Sequence, residues 1–239
     1  MDRPQGQLPL VLQEAPETVG GKVWRGAWLL WKSLLHFEGA LPSGRRVLEV
    51  GAGVGLVGLL LAADHGMKVT LSETRDGYSG AATTFENLRR NVERFHERRL
   101  ARAAQADGAD GVGAVEFGEA QVMELDWTQG VPVPEHSFDL VIGSDVLYEP
   151  HLFEDLLDVL QTAAPKAVLV QNLARKGTAY FLELCRQRNI EVKSEDVSHL
   201  DDDLPQTDAQ DGVYHCWFLD FSQALPPDPG KSRWPEVAA

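Results

Sequence analysis

Cysteine is nearly missing: Cys185 and Cys216 are the only two in 239 residues. That excludes a disulfide-stapled scaffold and predicts free thiols in a reducing compartment, cytosolic or nuclear. Long hydrophobic runs are absent as well. No stretch approaches the roughly 18 to 20 consecutive apolar residues that span a bilayer, so no membrane insertion is expected. The opening MDRPQGQLPLVLQEAP has no cationic start leading through an apolar segment to a small-residue cleavage site, and no secretory leader is expected. Positive charge is in deficit. Lys and Arg number 22 against 36 Asp and Glu, a formal net charge of -14, which opposes binding to a phosphate backbone and makes nucleic acid a poor partner. A basic protein surface is the electrostatically easier one. The seven histidines show no H-E-x-x-H or other ligand spacing, and no metal site is expected. Also missing are the G-x-S-x-G nucleophile elbow and the G-x-x-x-x-G-K-[ST] phosphate loop.

What is present is an alternation of short β-branched runs with longer segments of helical period, the pattern of an α/β fold with a mainly parallel sheet and helices on both faces. Strands are expected near 46–50, 68–72, 115–123, 138–143, 166–171, 190–197 and 213–221. Over 83–97, Phe85, Leu88, Val92 and Phe95 share one helical face, with Glu86 and Arg90 one turn apart on another. Leu152, Phe153, Leu156, Leu157 and Leu160 repeat the pattern, and a last helix is expected over 176–187. Only the polar run DDDLPQTDAQDG separates the final two strands, which predicts an antiparallel hairpin. Residues 98–114, RRLARAAQADGADGVGA, read as a flexible insertion. The expected organisation is one domain over 23–223, preceded by an extension over 1–22 and followed by a flexible tail over 224–239.

Chemistry concentrates at the ends of the expected strands. The run Glu49-Val50-Gly51-Ala52-Gly53-Val54-Gly55 sits where a strand turns sharply into a helix, and glycine there permits positive φ and close approach of backbone to a ligand. A structural tight turn also selects glycine, so the motif needs support. Glu73 closes the second strand, where a carboxylate accepts from ribose hydroxyls in dinucleotide and S-adenosylmethionine sites alike; the plainer reading is a solvated loop acid. Asp126 and Trp127 end the segment VMELDW, an acid to accept from an adenine amino group and an indole to cover the ring. The fourth strand runs into Gly143-Ser144-Asp145-Val146-Leu147-Tyr148, which puts a carboxylate and a phenol at the same crevice, unless Asp145 is a helix N-cap and Tyr148 a packed aromatic. Upstream, KVWRGAWLL carries Trp24 and Trp28 one turn apart; Trp28 and Trp31, among leucines, read as core.

This combination, from the tryptophan-bearing helix through LEVGAGVGL, the acid after the second strand and LDW to FDLVIGSDVLYEP, resembles methyltransferase family 16, which includes the seven-β-strand protein lysine methyltransferases. The likeness covers roughly Val23 to Phe221. It implies a Rossmann-like class I methyltransferase sheet of seven strands and S-adenosylmethionine as cofactor. By similarity, Trp24 would contact the cofactor from the N-terminal helix, and Gly51, Ala52 and Gly53 would allow close approach of its amino-acid part. Glu73 would bind the ribose, Asp126 and Trp127 would flank the adenine, and Ser144 would contact the cofactor. Asp145 and Tyr148 would form the acid-x-x-aromatic motif beside the target nitrogen of a protein substrate. The implied acceptor is lysine, with histidine and arginine as alternatives. From another class, an NAD-dependent oxidoreductase or a non-catalytic scaffold of the same fold stays open. Glu73 stands where the family more often has Asp, and the 198–212 loop has no match that assigns a substrate.

Overall fold

Seven short strands make one sheet: β1 (Arg46–Val50), β2 (Lys68–Glu73), β3 (Glu119–Glu124), β4 (Leu140–Ser144), β5 (Lys166–Asn172), β6 (Glu191–Asp196) and β7 (Tyr214–Asp220). The structure is a computed structural model that describes residues 10, 12–37, 44–76, 80–106, 117–130, 132–201 and 212–226. The strand order is β3-β2-β1-β4-β5-β7-β6. The first five strands are parallel, and β7 runs antiparallel to both β5 and β6. The expected C-terminal hairpin is therefore present. Its outer strand β6, EVKSED, is exposed along almost its whole length, and charge on such an edge discourages pairing with another chain.

Strand β1 is central. Val47, Leu48 and Val50 are wholly buried because helices cover both faces of the sheet, the usual situation for parallel strands. Val47 belongs to one core with α1 (Arg25–Phe37), α2 (Leu56–His65) and α3 (Ala81–Ala106); Leu48 and Val50 belong to the other, with α4 (Phe153–Ala163) and α5 (Thr178–Gln187). Helix α2 is buried from Leu56 to Ala63, which suits a helix apolar on all sides. Helix α4 is amphipathic, with Glu154 and Asp155 in its first turn, where acids meet the positive end of the helix dipole.

The chain leaves β1 toward β2 and β3 on one side and returns to β4 on the other. That reversal opens a crevice beyond the C-terminal ends of β1 and β4, the place where open α/β sheets bind ligands. Two readings are corrected. Helix α3 continues to Ala106, through the first half of the segment read as a flexible insertion; its Ala and Arg are strong helix formers, and the glycines begin only at Gly108. Glu86 pairs with Arg89 at 3.2 Å and Arg75 at 3.5 Å rather than with Arg90. The rest of that insertion, most of the β6–β7 loop and the tail beyond Pro226 lie outside the described residues.

Candidate active site

At the end of β1 the chain must reverse within a few residues into α2, and Gly51 and Gly53 adopt φ of 59° and 55°. A side chain at Gly53 would be strained by that φ, and its Cβ would stand 2.8 Å from the Gly20 carbonyl oxygen. The bend is pinned from β2. Ala52 N–H donates to Ser72 O at 2.9 Å, and Gly53 N–H donates to Glu73 Oε2 at 3.1 Å. Thr74 N–H donates to the other Glu73 oxygen at 3.0 Å. Glu73 is thus a buried, amide-held carboxylate, not a solvated loop acid.

Beyond β3, Asp126 caps a single 3-10 turn by accepting from Thr128 N–H at 2.9 Å and Thr128 Oγ1 at 2.8 Å. This cap sets Trp127 on the wall of the crevice. A further wall comes from residues 16–24, which cross over the glycine bend where Gly20 O lies against Gly53. Asn87 donates to Gln13 O at 2.7 Å and Asn91 accepts from Gln13 N–H at 2.8 Å. Thr18 Oγ1 meets Thr84 Oγ1 at 3.0 Å. Trp24 sits one residue ahead of α1 rather than on it, with its indole N–H donating to Val19 O at 2.8 Å and the Lys22 ammonium 4.3 Å over its ring.

At the other end of the crevice β4 ends in Ser144 and the backbone switches at Asp145 to φ 52°, a conformation rarely taken by a non-glycine residue and concentrated at functional sites. Asp145 N–H donates to Val170 O at 2.9 Å, and its Oδ1 accepts from Asn172 N–H at 3.3 Å. It caps no helix. Burial pushes its carboxyl up from the usual carboxylate range, opposed by the Asn172 amide, the Arg175 charge and the Gly26 amide. Three residues on, Tyr148 is 39% exposed, so it lines the mouth and is not a packed core aromatic. Its phenol is pushed up to about 12, by desolvation first and then by the charges of Glu73 and Glu149, and so stays neutral throughout the physiological range.

All ten site residues singled out in the sequence, Trp24, Gly51, Ala52, Gly53, Glu73, Asp126, Trp127, Ser144, Asp145 and Tyr148, line one cavity of about 900 Å³. Trp31 packs in the core against His65 and Trp28 packs at its edge. Sequence reasoning missed three contributions. Thr18, Val19 and Gly20 also line the cavity but come from an aperiodic stretch, where no pattern signals contact. Arg175 enters from the loop after β5, where a lone Arg carries no signal. Glu49 is a buried carboxyl at the base of the bend; an acid inside the strand pattern RVLEV was its one visible mark.

The lysine methyltransferase family model matches residues 5–107 and 111–188. The chain belongs to the lysine methyltransferase family. It is similar to protein N-lysine methyltransferase METTL21A of Danio rerio, 28% identical over 144 residues that cover 60% of this chain and 55% of that protein. The histone-arginine methyltransferase METTL23 of Rattus norvegicus is 30% identical over 177 residues, 70% of this chain and 65% of that one. The protein-lysine N-methyltransferase EFM3 of Saccharomyces cerevisiae is 29% identical over 160 residues, 62% of this chain and 41% of that one. The chain spans about half the length of the curated relatives it matches. Among solved structures, a predicted O-methyltransferase from Agrobacterium tumefaciens superimposes with a TM-score of 0.51 at 20% identity over 82% of this chain and 80% of that one. The [4+2]-cyclase SpnF does so with 0.50 at 17% identity over 89% and 86%. These likenesses establish a class I methyltransferase fold, which hosts more than one reaction.

Proposed function

We propose that the protein is an S-adenosylmethionine-dependent methyltransferase whose acceptor is a protein side-chain nitrogen, with lysine as the target. One observation carries this reading: the glycine bend with its amide-held Glu73 and the Asp145–Tyr148 pair open into the same cavity. The cavity suits the cofactor by its donor set. Glu73 oxygens have capacity for ribose hydroxyls, the Trp127 indole offers a flat apolar face for a purine, and backbone at Gly51 and Gly53 is bare of side chain for an amino-acid moiety. Bound there, S-adenosylmethionine supplies a methyl group on a sulfonium.

A lysine amine must reach the site neutral, since an ammonium has no lone pair, and its ordinary pKa is about 10.4. Asp145 attracts the incoming cation, and the partial desolvation of the cleft favours its loss of a proton to water. The neutral Tyr148 ring forms a wall that stabilises the methylated cation through its π face. Alignment of nitrogen with the methyl group, rather than a strong base, accounts for most of the acceleration.

Relatives named for arginine make that acceptor the second reading. Asp145 Oδ2 is buried away from solvent, so an acceptor would meet at most Oδ1, which also accepts from Asn172 N–H at 3.3 Å. A single carboxylate oxygen suits a compact ammonium better than a guanidinium fork, which prefers two parallel bonds. The test is incubation with methyl-labelled S-adenosylmethionine and a cell extract, followed by mass spectrometry of the labelled residue. Methyl-lysine is expected. Methylarginine or methylhistidine would replace the acceptor, and calorimetric binding of NAD without binding of S-adenosylhomocysteine would overturn the reading.

A further inference from the structure

We propose that Asn91 is a positioning residue for the cofactor: from α3, outside the cavity, its side-chain amide ties the segment that carries the 16–24 wall to the loop after the glycine bend, so that one buried side chain sets two walls of the cleft. This rests on the reading above that S-adenosylmethionine binds there. The buried face of α3 is not apolar throughout. Beside Phe85, Leu88, Val92 and Phe95 runs a polar stripe, Thr84, Asn87 and Asn91, spaced by three and four residues and only 0%, 3% and 1% exposed. Asparagine is a poor residue for a helix interior, and burying its amide costs free energy unless it finds partners. The stripe has its explanation in what it holds.

Asn91 accepts from Gln13 N–H at 2.8 Å and donates to Gln13 O at 3.1 Å and to Val54 O at 3.0 Å. Its carbonyl oxygen and both amide hydrogens are thereby engaged. Val54 follows Gly53 and lines the cavity, whereas Asn91 does not, which makes Asn91 a support and not a group that touches cofactor. The bend is held from β2 through Glu73; Asn91 holds it from the helix side. There Gly55 lets α3 come close, since a Cβ at Gly55 would stand 2.7 Å from Leu88 Cδ1. The anchor at Gln13 reaches the cavity wall because the segment is closed at its base: Ala15 N–H donates to Gly21 O at 2.6 Å and Val23 N–H donates to Glu14 Oε1 at 2.7 Å. A loop whose ends are bonded in this way moves as one piece. Asn87 adds a donation to Gln13 O at 2.7 Å, and Thr84 meets Thr18 further along. The 16–24 wall and the glycine loop thus meet directly where Gly20 O lies against Gly53, and indirectly through Asn91.

The experiment compares wild type with Asn91→Ala, which removes all three bonds, and with Gln13→Pro, which removes only the N–H that Asn91 accepts. The control is Arg188→Ala, which breaks an ion pair between α5 and α4 and lowers stability without touching the cavity. Amide hydrogen exchange of the ligand-free proteins reads the clamp: residues 14–24 and 51–56 should exchange about tenfold faster, together, in Asn91→Ala and stay at wild-type rates in the control. Calorimetry with S-adenosylhomocysteine reads the positioning. The Kd should rise about 10- to 30-fold in Asn91→Ala, because a cleft whose walls are in place only part of the time binds in proportion to that fraction. The KM for S-adenosylmethionine should rise in step while kcat at saturating cofactor stays within about threefold, and Arg188→Ala should keep its Kd within about twofold in spite of a lower Tm. Wild-type affinity in folded Asn91→Ala, or an equal loss in the control, overturns the proposal. If Asn91→Ala does not fold, Gln13→Pro decides: a rise in Kd of about threefold or more is expected, and wild-type affinity overturns the proposal. Coupled faster exchange in a protein whose wild type binds no S-adenosylhomocysteine would uphold the clamp and overturn the proposed function instead.

Discussion

Gly58 N–H donates to Glu49 Oε2 at 2.8 Å, so a carboxyl inside the central strand holds the first turn of α2 across the glycine bend. Burial drives the Glu49 pKa from an ordinary 4.5 to about 8, with the Gly58 amide opposing and Glu73 adding to the rise. The folded state keeps this proton through a range where the unfolded chain has lost it. The contribution to stability is therefore fully present below pH 4.5 and is lost as pH rises to about 8. Glu49→Gln removes that titration while keeping an acceptor for Gly58. Its Tm relative to wild type should climb by at least about 2–4 °C between pH 5 and pH 8.5. A Tm difference constant across that interval would refute the assignment.

Two carboxylates on opposite sides of the cavity should fail in different ways. Glu73→Ala removes the partner of Gly53 N–H and the acceptor proposed for the cofactor ribose, so S-adenosylhomocysteine should bind about 10- to 100-fold more weakly by calorimetry. Asp145→Asn leaves that side intact; binding should stay within about threefold while transfer falls at least about a hundredfold. Equal losses of binding in both variants would dissolve the division of roles.

Tyr148 separates ring from hydroxyl. Its phenol is neutral to about pH 12, and the proposed contribution is the ring face. Tyr148→Phe should retain transfer to within about threefold, and Tyr148→Ala should lose about 3- to 30-fold in kcat/KM, the range of a cation–π contact. If the phenylalanine variant is as poor as the alanine variant, the hydroxyl is the working group.

Far from the cavity, Arg188 and Asp158 form an ion pair between the end of α5 and α4, their side chains 15% and 13% exposed. Burial raises the Asp158 pKa in spite of the arginine. Arg188→Ala strands that carboxylate, at a cost of about 3 kcal/mol, seen as a lower Tm. Replacing both residues, Arg188→Met with Asp158→Leu, should recover most of the loss; no recovery would mean that Arg188 contributes by packing.

Elements whose signal is local were legible. β1, α2 and the bend between them occupy one continuous stretch with a clear change of period, and SDVLYEP carries its acid and phenol within four residues. The hairpin could be read because a run of polar residues replaces a helix. Helix α3 was underestimated because its Ala- and Arg-rich end shades into a run of Ala and Gly. The wall over the glycine bend was invisible, since Thr18 meets Thr84 across 66 residues and nothing in either neighbourhood announces the other. Asp145 was visible as a site residue, but its positive φ and its approach to Gly26 were not.

Periodicity, turn chemistry and composition by themselves determined the α/β class, the number of strands, the antiparallel end and the residues gathered at the strand tips, because hydrophobic spacing and glycine requirements are properties of short segments. Tertiary structure alone decided that residues 16–24 line the cavity, that Glu49 is buried against Gly58, and that Asp145 comes to lie against Gly26 of α1. Those relationships depend on strand order and on helices packed across long loops, and chain closure over such distances leaves no local mark in the amino acids that meet.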